Sequence, residues 1–290
     1  MKLIIKFNIV FLVIFLIGLA IAAYVSRELL QQNARDEVLQ HARIMMEGSL
    51  ASRAYTANQI RPLLETQMKY QFLPQTVPAY GATEQFNDLR KKFPDYTYKE
   101  ATLNPTNPRD RASDWEADVV NQFRQASDRL EVVGERDTPA GRALYMARPI
   151  QIKSEACLTC HSTVEAAPKT MIDLYGPANG FGWKLNEVIG AQIVSVPMTV
   201  PVKRAEDTFR VFLISLTAVF AFIFVALNLM LLFMVIRPVT RLSQIADQVS
   251  LGKLDAPEFR IKGKDEIAIL AGSFNRMRTS LVQAMKMLEE

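Results

Sequence analysis

The sequence predicts an α+β domain that lies between two membrane-spanning helices and is followed by an all-α helical pair. Two apolar runs without a charged residue divide the chain. Between them, segments with strand-like alternation are mixed with helical periodicity, and after the second run apolar residues recur at heptad spacing. The predicted boundaries are 1–26 for the first transmembrane helix, 27–210 for the outer domain, 211–236 for the second transmembrane helix and 237–290 for the helical pair.

Composition sets broad limits on function. The chain has 290 residues, 49% of them hydrophobic, which is enough for one sizeable domain in addition to two spans. Its net charge of +4 is mild, and basic residues at a membrane face explain it better than nucleic-acid binding does. We therefore expect membrane lipid, and not nucleic acid, as a partner.

The charges beside the two apolar runs predict the orientation. Lys2 and Lys6 precede the run Phe7–Ser26, while Arg237 and Arg241 follow the run Val211–Ile236. Each run is long enough to cross a bilayer, and basic flanks favour the cytoplasmic side. We expect a two-pass protein of the bacterial inner membrane whose outer domain lies in the periplasm. Ala20-Ile21-Ala22 is an alternative signal-peptidase site, but the long run favours an uncleaved anchor.

Periodicity also predicts the elements of the outer domain. A helix continues out of the first span with an apolar stripe of Ala34, Val38, His41 and Met45, and ends at or before Pro62. The further elements are a helix near 83–93, a strand over 96–103, a helix from Ser113 or Asp114 to about 126, strands over 130–133 and 143–152 joined by a turn from Gly134 to Gly141, and a last strand over 188–200. We expect an antiparallel sheet with helices on one face.

The stretch Cys157-Leu158-Thr159-Cys160-His161 is typical of a c-type haem attachment site. The two thiols of such a motif bind one porphyrin, and the histidine supplies a nitrogen to the iron. Cys157 and Cys160 are the only cysteines among the 290 residues, and His161 is one of two histidines. This economy favours one covalent haem c.

Three other interpretations of these residues stay open. A thiol–disulfide oxidoreductase places Cys-x-x-Cys in a βαβ context, which the flanking sequence lacks. A zinc site needs four ligands, and the chain offers only two cysteines, His161 and the distant His41. The third interpretation is structural, with two buried thiols beside a surface histidine.

The segment after the second span resembles a HAMP domain. One stripe is Val239, Leu242, Ala246 and Val249, and the other is Ile267, Leu270, Phe274, Met277, Leu281, Ala284 and Leu288. Pro238 stands at the membrane exit, Asp265-Glu266-Ile267 opens the second helix, and a connector with Gly252, Leu254 and Ile261 lies between them. Ala268 stands where that motif usually has glycine. The resemblance implies a homodimer, because HAMP helices pair across two chains; an ordinary helical hairpin is the alternative.

The outer domain resembles the periplasmic haem c domains with a PAS-like fold that are often joined to HAMP. The matching stretches are Arg53-Ala-Tyr-Thr56, Ile60-Arg-Pro-Leu-Leu64, the Asn-Pro pair within 104–108, Cys157–His161, Gly182-Trp-Lys-Leu185 and Gly190–Met198. The resemblance implies a redox or small-ligand sensor with covalently held haem. A cysteine is the second axial ligand in some members, and this chain has no cysteine left for that role.

His41 is therefore the predicted second iron ligand, with a packed structural histidine as the alternative. Met45 and Met46 are the next candidates, Met171 and Met146 weaker ones, and an open site for a diatomic gas is a further alternative. Arg53 and Tyr55 are predicted to hydrogen-bond a haem propionate, or else to be solvated. Trp183 and Tyr175 are expected to pack against the porphyrin or the core.

Two functions follow from these features. The first is a sensor in which a change at the haem acts through the helix carrying His41 and through HAMP on a cytoplasmic partner such as a kinase or a cyclase. The alternative is a membrane-anchored electron carrier. A carrier has no need of a cytoplasmic heptad module, so we favour the sensor. We predict no enzymatic activity, since no acid–base constellation accompanies the motif.

Overall fold

The computed structural model describes residues 3–126, 128–253, 257–259 and 263–289. It divides into two compact units, one formed by Arg27–Phe209 and the other by Met1–Ser26 with Arg210–Glu290. We describe each unit by itself.

Nine α-helices and four strands are found in the described residues. The helices are α1 (Leu3–Tyr55), α2 (Arg61–Met68), α3 (Pro78–Arg90), α4 (Asp114–Gln125), α5 (Glu155–His161), α6 (Lys169–Tyr175), α7 (Thr199–Met230), α8 (Arg237–Ser250) and α9 (Glu266–Glu289). The strands are β1 (Thr97–Thr102), β2 (Val132–Thr138), β3 (Gly141–Gln151) and β4 (Val188–Pro197). Short π-helical segments follow α1 (Thr56–Ile60) and α7 (Leu231–Ile236), and 3-10 turns occur at Pro74–Thr76 and Pro108–Asp110.

The four strands form one antiparallel sheet in the order β1-β4-β3-β2. This confirms the α+β fold class and the antiparallel sheet. The predicted turn from Gly134 to Gly141 is too long, because Thr138 already pairs with Gly141 and leaves two residues in the turn. Gly141 has a φ of 107°, a backbone conformation that suits glycine at such a position.

Helices cover both faces of the sheet, so the prediction of helices on one face is wrong. Successive side chains of a strand point to opposite faces of the sheet, so each face can pack against its own helices. On one face, Val38 and Met46 of α1 and Phe86 of α3 pack with Tyr98, Leu144, Met146, Val194 and Val196. On the other face, Val119, Val120 and Phe123 of α4 pack with Ala101, Ala147, Ala191 and Ile193.

The buried stripe of α1 differs in phase from the predicted one. Its members are Ala34, Val38, Ala42, Met46 and Ser49, at spacings of four, four, four and three. Ala34 and Val38 were predicted, but His41 is exposed and Met45 is only half-buried. The predicted stripe continued from Val38 through His41 and Met45. The face that is buried in the structure continues instead through the small Ala42 and through Met46.

Pro62 does not end the first helix of the domain. The chain passes from α1 through the π-helical segment Thr56–Ile60 into α2, and Pro62 lies in the first turn of α2. A π-helical segment often marks the place where a helix adapts its hydrogen bonds, and proline is tolerated in a first turn because its missing N–H needs no helical partner there.

Helix α4 starts where its capping residues predict. Ser113 and Glu116 form a capping box, in which the Ser113 backbone N–H donates to the Glu116 carboxylate over 2.8 Å. The predicted strand over 96–103 appears as β1, and the last predicted strand appears as β4 and ends at Pro197. These elements carry strong local signals.

The other unit contains two helical stretches that are long and apolar enough to cross a membrane. Their aromatic residues meet in two pairs, Phe11 with Phe224 at a centroid distance of 5.5 Å and Phe15 with Phe220 at 4.5 Å. These stretches and the domain that follows them fit a membrane-anchored protein.

Helices α8 and α9 pack on each other through a small apolar cluster. It contains Leu242, Ile245, Val249, Phe259, Ala271 and Phe274. Asn275 holds Phe259 in place, accepting from its backbone N–H over 3.2 Å and donating to its carbonyl over 2.8 Å. Asp265 caps α9, as predicted, by accepting from the Ala268 N–H over 2.8 Å. Leu254, Ile261 and the side chain of Leu288, which the prediction named, lie outside the described residues.

Candidate functional site

Helix α5 carries all three residues of the predicted attachment motif. Its N-cap is Ser154, whose hydroxyl accepts a hydrogen bond from the Ala156 N–H over 3.2 Å. Cys157 and Cys160 are free thiols and are half-buried. Residues three apart on a helix share a face, so both sulfur atoms point towards the same side of α5.

A backbone carbonyl determines which nitrogen of the His161 ring carries the hydrogen. Its Nδ1 lies 2.8 Å from the carbonyl oxygen of Gly180. A carbonyl only accepts, so Nδ1 carries the hydrogen and Nε2 keeps its lone pair. Burial lowers the pKa of His161, although the bond to Gly180 opposes this shift. The neutral ring therefore offers Nε2 as a ligand at neutral pH.

Trp183 holds the same ring from one side. The two rings are stacked with centroids 4.0 Å apart and planes 17° from parallel. The backbone supports this contact, because the Trp183 N–H donates to the His161 carbonyl over 3.1 Å and the Gly182 N–H to the Ser162 carbonyl over 2.9 Å. Trp183 therefore packs on His161, whereas the sequence predicted that it packs against the porphyrin or the core.

The turn at Asn104 fixes the loop that contains Gly180. The Asn104 side chain accepts from the Gly180 N–H over 3.1 Å and donates to the Phe181 carbonyl over 3.2 Å. Thr106 Oγ1 lies 3.4 Å from His161 Nδ1. Gly180 has a φ of 86°, and a Cβ atom there would overlap Thr106. The sequence singled out the Asn-Pro pair within 104–108 and the stretch that begins at Gly182, but it did not predict that Asn104 contacts the loop before Gly182.

Cys160 faces an apolar cluster. Phe72, Ala167 and Met171 form its buried part, and Cys160 packs against it together with Met68 and Tyr175. Burial raises the pKa of the Cys160 thiol, and the nearby charge of Arg61 opposes this shift. At neutral pH the Cys160 sulfur is therefore a protonated thiol.

Arg53 is tied to a buried carboxylate. It forms an ion pair with Glu100, which also accepts a hydrogen bond from Tyr98 Oη over 2.7 Å. Burial alone lowers the pKa of Arg53, but the charge of Glu100 and the hydrogen bond to its carboxylate raise this pKa, and the net shift is upward. Burial and the Glu100 charge raise the pKa of Tyr98. Arg53 is thus a fixed cation whose field reaches Cys157.

The structure does not bring His41 to this site, so it does not support His41 as the second axial ligand. His41 is exposed on α1 and precedes Arg53 by twelve residues, a distance of about 18 Å along a helix. Met46 and Met146 lie in the sheet core, and Met45 packs at its border. Met171 is the predicted methionine that shares a cluster with Cys160.

The structure also gives no support to a propionate contact from Tyr55 or to the zinc interpretation of the motif. Tyr55 is 60% exposed, which is typical of a solvated side chain. Among the described residues, no group of three or more His, Cys, Asp or Glu side chains is placed to hold a metal ion. A four-ligand zinc site therefore has no support in this part of the chain.

Comparisons with known proteins agree with two of the predicted modules. A family model described as Tll0287-like matches residues 31–197, and a HAMP domain model matches residues 230–283. Among solved structures, the chain is similar to one titled "Crystal structure of the cyanobacterial heme-protein Tll0287". The identity is 15%, the TM-score is 0.44, and the match covers 56% of this chain and 95% of the other. No curated protein matches the chain.

The raised pKa of Cys160 predicts slow alkylation in haem-free protein. In Cys157→Ser protein, the rate of reaction with iodoacetamide should still rise at a pH where an ordinary cysteine is already fully ionised, because the thiolate is the nucleophile. Arg61→Gln should slow the reaction further at fixed pH, since Arg61 favours the thiolate. Arg43→Gln is the control, as Arg43 lies on α1 and is paired with Glu131 over 3.9 Å. A rate that levels off below the ordinary cysteine pKa contradicts the prediction.

Proposed function

We propose that this chain, which belongs to the Tll0287-like family and continues into a HAMP domain, is a membrane-anchored sensor with one covalent haem c. The sensor domain lies in the periplasm, and the protein crosses the bacterial inner membrane twice. The observation that carries the proposal is the 2.8 Å hydrogen bond between His161 Nδ1 and the Gly180 carbonyl, which leaves Nε2 free on the helix that also holds two free thiols.

The donor set on α5 fits a c-type haem. Cys157 and Cys160 would each hold the porphyrin through a thioether, formed by adding the S–H across a vinyl group, so that no oxidant would be needed. His161 supplies a neutral nitrogen whose orientation is fixed by Gly180 and Trp183.

When bound, the haem would supply a one-electron redox centre and an iron that can take a small ligand. The residues near the motif would provide this haem with a positively charged side chain and with apolar side chains. Arg53 stays protonated beside Glu100, and the guanidinium N–H groups that Glu100 does not use would donate to a haem propionate. Phe72 and Met171 provide an apolar wall beside Cys160 that excludes water.

The periplasmic position is supported by the charges that flank the two apolar stretches. Lys2 and Lys6 on one side and Arg237 and Arg241 on the other favour the cytoplasm for both ends. The haem domain then lies between the two spans on the opposite side of the membrane.

A homodimer is supported by the free apolar face of α9. Leu270 is 48% exposed, Met277 62% and Leu281 43% in the single chain, at spacings of seven and four residues. A second copy of the HAMP helices covers such a seam in a four-helix bundle. The output then acts in trans on a cytoplasmic signalling protein, such as a kinase or a cyclase.

The sensor accounts for the HAMP domain better than an electron carrier does. Strand β4 ends at Pro197, and α7 begins at Thr199 after a single residue, Met198. Met198 is buried, and its backbone N–H donates to the Arg142 carbonyl over 2.9 Å. A displacement of β4 therefore reaches the start of α7 without a flexible linker. An electron carrier does not need such a direct connection between the sheet and α7.

Covalent attachment is the first prediction. Protein made with haem c maturation machinery should keep its haem through acid–acetone extraction and a denaturing gel, because thioethers survive both. The double variant Cys157→Ser with Cys160→Ser should lose the stain completely. Each single variant should keep one thioether. A wild-type band without haem stain would falsify covalent attachment.

The second prediction separates the two histidines. His161→Ala should alter the ferric absorption spectrum, because the iron loses its nitrogen ligand. His41→Ala should leave the spectrum unchanged, since His41 is exposed on α1 and lies far along that helix from Arg53. A change of spin state in the His41 variant would restore His41 as a ligand and overturn the present placement.

The third prediction tests the sensor against the carrier. Ala284→Cys on α9 should cross-link across a dimer, and the yield should differ between oxidised and reduced haem if HAMP changes its packing. The control is the same substitution in the Cys157→Ser, Cys160→Ser background, where the yield should not respond to a mild reductant that leaves disulfides intact. A dimer with equal yields in both haem states would favour the electron carrier.

A further inference from the structure

A second concave site lies at the edge strand β1. It is a cleft of 490 Å³ between the end of α3, the 3-10 turn Pro108–Asp110, the start of α4 and strand β2. Its charged and aromatic side chains include Arg90, Lys99, Arg109, Asp110, Trp115 and Arg136. None of the lining residues belongs to α5, so the cleft is formed by side chains other than those of the attachment motif.

The charges of the cleft are not balanced. Four cations and two carboxylates, Asp110 and Glu116, line it. The Glu116 carboxylate already has hydrogen-bond donors within the protein, since it accepts from Lys99 Nζ over 2.7 Å and from the Ser113 N–H over 2.8 Å. Arg109 is paired with Glu84 and lies 3.7 Å from Asp110.

Two cations then remain without an ion pair among the residues that the structure describes, Arg90 and Arg136. Arg136 is the better placed of the two, because its position is fixed by an aromatic ring. Its guanidinium lies over the Trp115 ring, with Cζ 4.2 Å from the ring centroid. Such a stack uses the face of the guanidinium and leaves its N–H donors free along the edge. This edge has the geometry that binds a carboxylate through two parallel hydrogen bonds.

We propose that this cleft binds a small organic anion that carries at least one carboxylate. Its volume lies within the range of about 300–1,000 Å³ that is usual for small-molecule sites. Arg136 holds the carboxylate, and Arg90 adds a second positive charge. The indole of Trp115 offers apolar surface for the carbon part of the ligand. This site goes beyond the proposed haem function and does not depend on it.

The cleft is coupled to His161 through one short segment. Arg109 and Asp110 line the cleft, while Asn104 and Thr106, a few residues earlier, contact Gly180 and His161. Arg111, directly after the 3-10 turn, donates to Asn179 Oδ1 over 3.2 Å in the same glycine-rich loop. A ligand that shifts the turn therefore shifts the loop that orients the His161 ring. This coupling, unlike the binding itself, rests on the proposed haem function.

Binding is tested by calorimetry on the full chain in detergent micelles. Acetate, succinate and benzoate are the probes, succinamide is the neutral control, and sulfate at equal ionic strength tests for general anion binding. At least one carboxylate should bind, with succinamide and sulfate much weaker. The Cys157→Ser, Cys160→Ser protein should bind it equally well, so that a failure of haem attachment does not affect this result.

Variants locate the site. Arg136→Gln should weaken the bound carboxylate about tenfold or more, because a charge-assisted hydrogen bond is lost. Arg43→Gln, on α1 outside the cleft, should have no effect. Equal thermal unfolding of both variants, followed by the fluorescence of Trp115 and Trp183, shows that the fold is intact. The proposal is overturned if no carboxylate binds, if sulfate binds as tightly, or if Arg136→Gln binds like the parent.

The coupling has its own readout. In haem-loaded protein, saturating the cleft with the carboxylate that binds should shift the Soret band or the redox midpoint, and the shift should vanish in Arg136→Gln. An unchanged spectrum and midpoint with the ligand bound would overturn the coupling while the binding site stands.

Discussion

The hydrogen bond from His161 Nδ1 to the Gly180 carbonyl is the interaction on which the proposed site depends. It determines which nitrogen of the ring is free, and it exists because Gly180 adopts a backbone conformation that other residues rarely take. Asn104 holds Gly180 through its backbone N–H, and Trp183 keeps the ring parallel to its own. Three segments that are distant in sequence thus combine to orient one imidazole.

The ion pair between Arg53 and the buried carboxylate of Glu100 adds a second constraint; the Glu100 side chain is 5% exposed and the Arg53 side chain 26%. Taking the Glu100 charge out of water costs free energy, and the attraction to Arg53 offsets this cost only if further hydrogen bonds satisfy the carboxylate. Tyr98 provides one such bond, so Glu100 is held by two partners. The pair contributes position more than stability, because it fixes the end of α1 against β1 beside the motif. Losing one partner would leave a buried charge uncompensated, which is far more destabilising than replacing both.

The sequence predicted those features that depend on neighbouring residues. The capping box at Ser113 and Glu116, the alternation in β1 and β4 and the spacing within Cys157–His161 are all local signals, and the structure contains each element. The phase of the buried stripe on α1 could not be predicted in the same way. Ala42 is small and only weakly apolar, so it does not mark a buried position, and the spacing from Val38 to Met45 drew His41 into the predicted stripe. Whether helices cover one or both faces depends on strand pairing between distant segments. The contact of Asn104 with Gly180 depends on folding across 76 residues.

The position of the 3-10 turn Pro108–Asp110 explains how one small domain could link the two proposed sites. The turn is short and lies between β1, which is a strand of the sheet, and α4, which packs on the sheet, and both are hard to displace. Movement near a bound ligand is therefore directed into the segment between them, and Asn104 and Thr106 begin that segment. Since a single residue separates β4 from α7, a change that reaches the sheet has a direct connection to the helix that leads to HAMP. A rigid sheet with one adjustable segment transmits a local event better than a uniformly flexible domain, because little of the displacement is absorbed on the way.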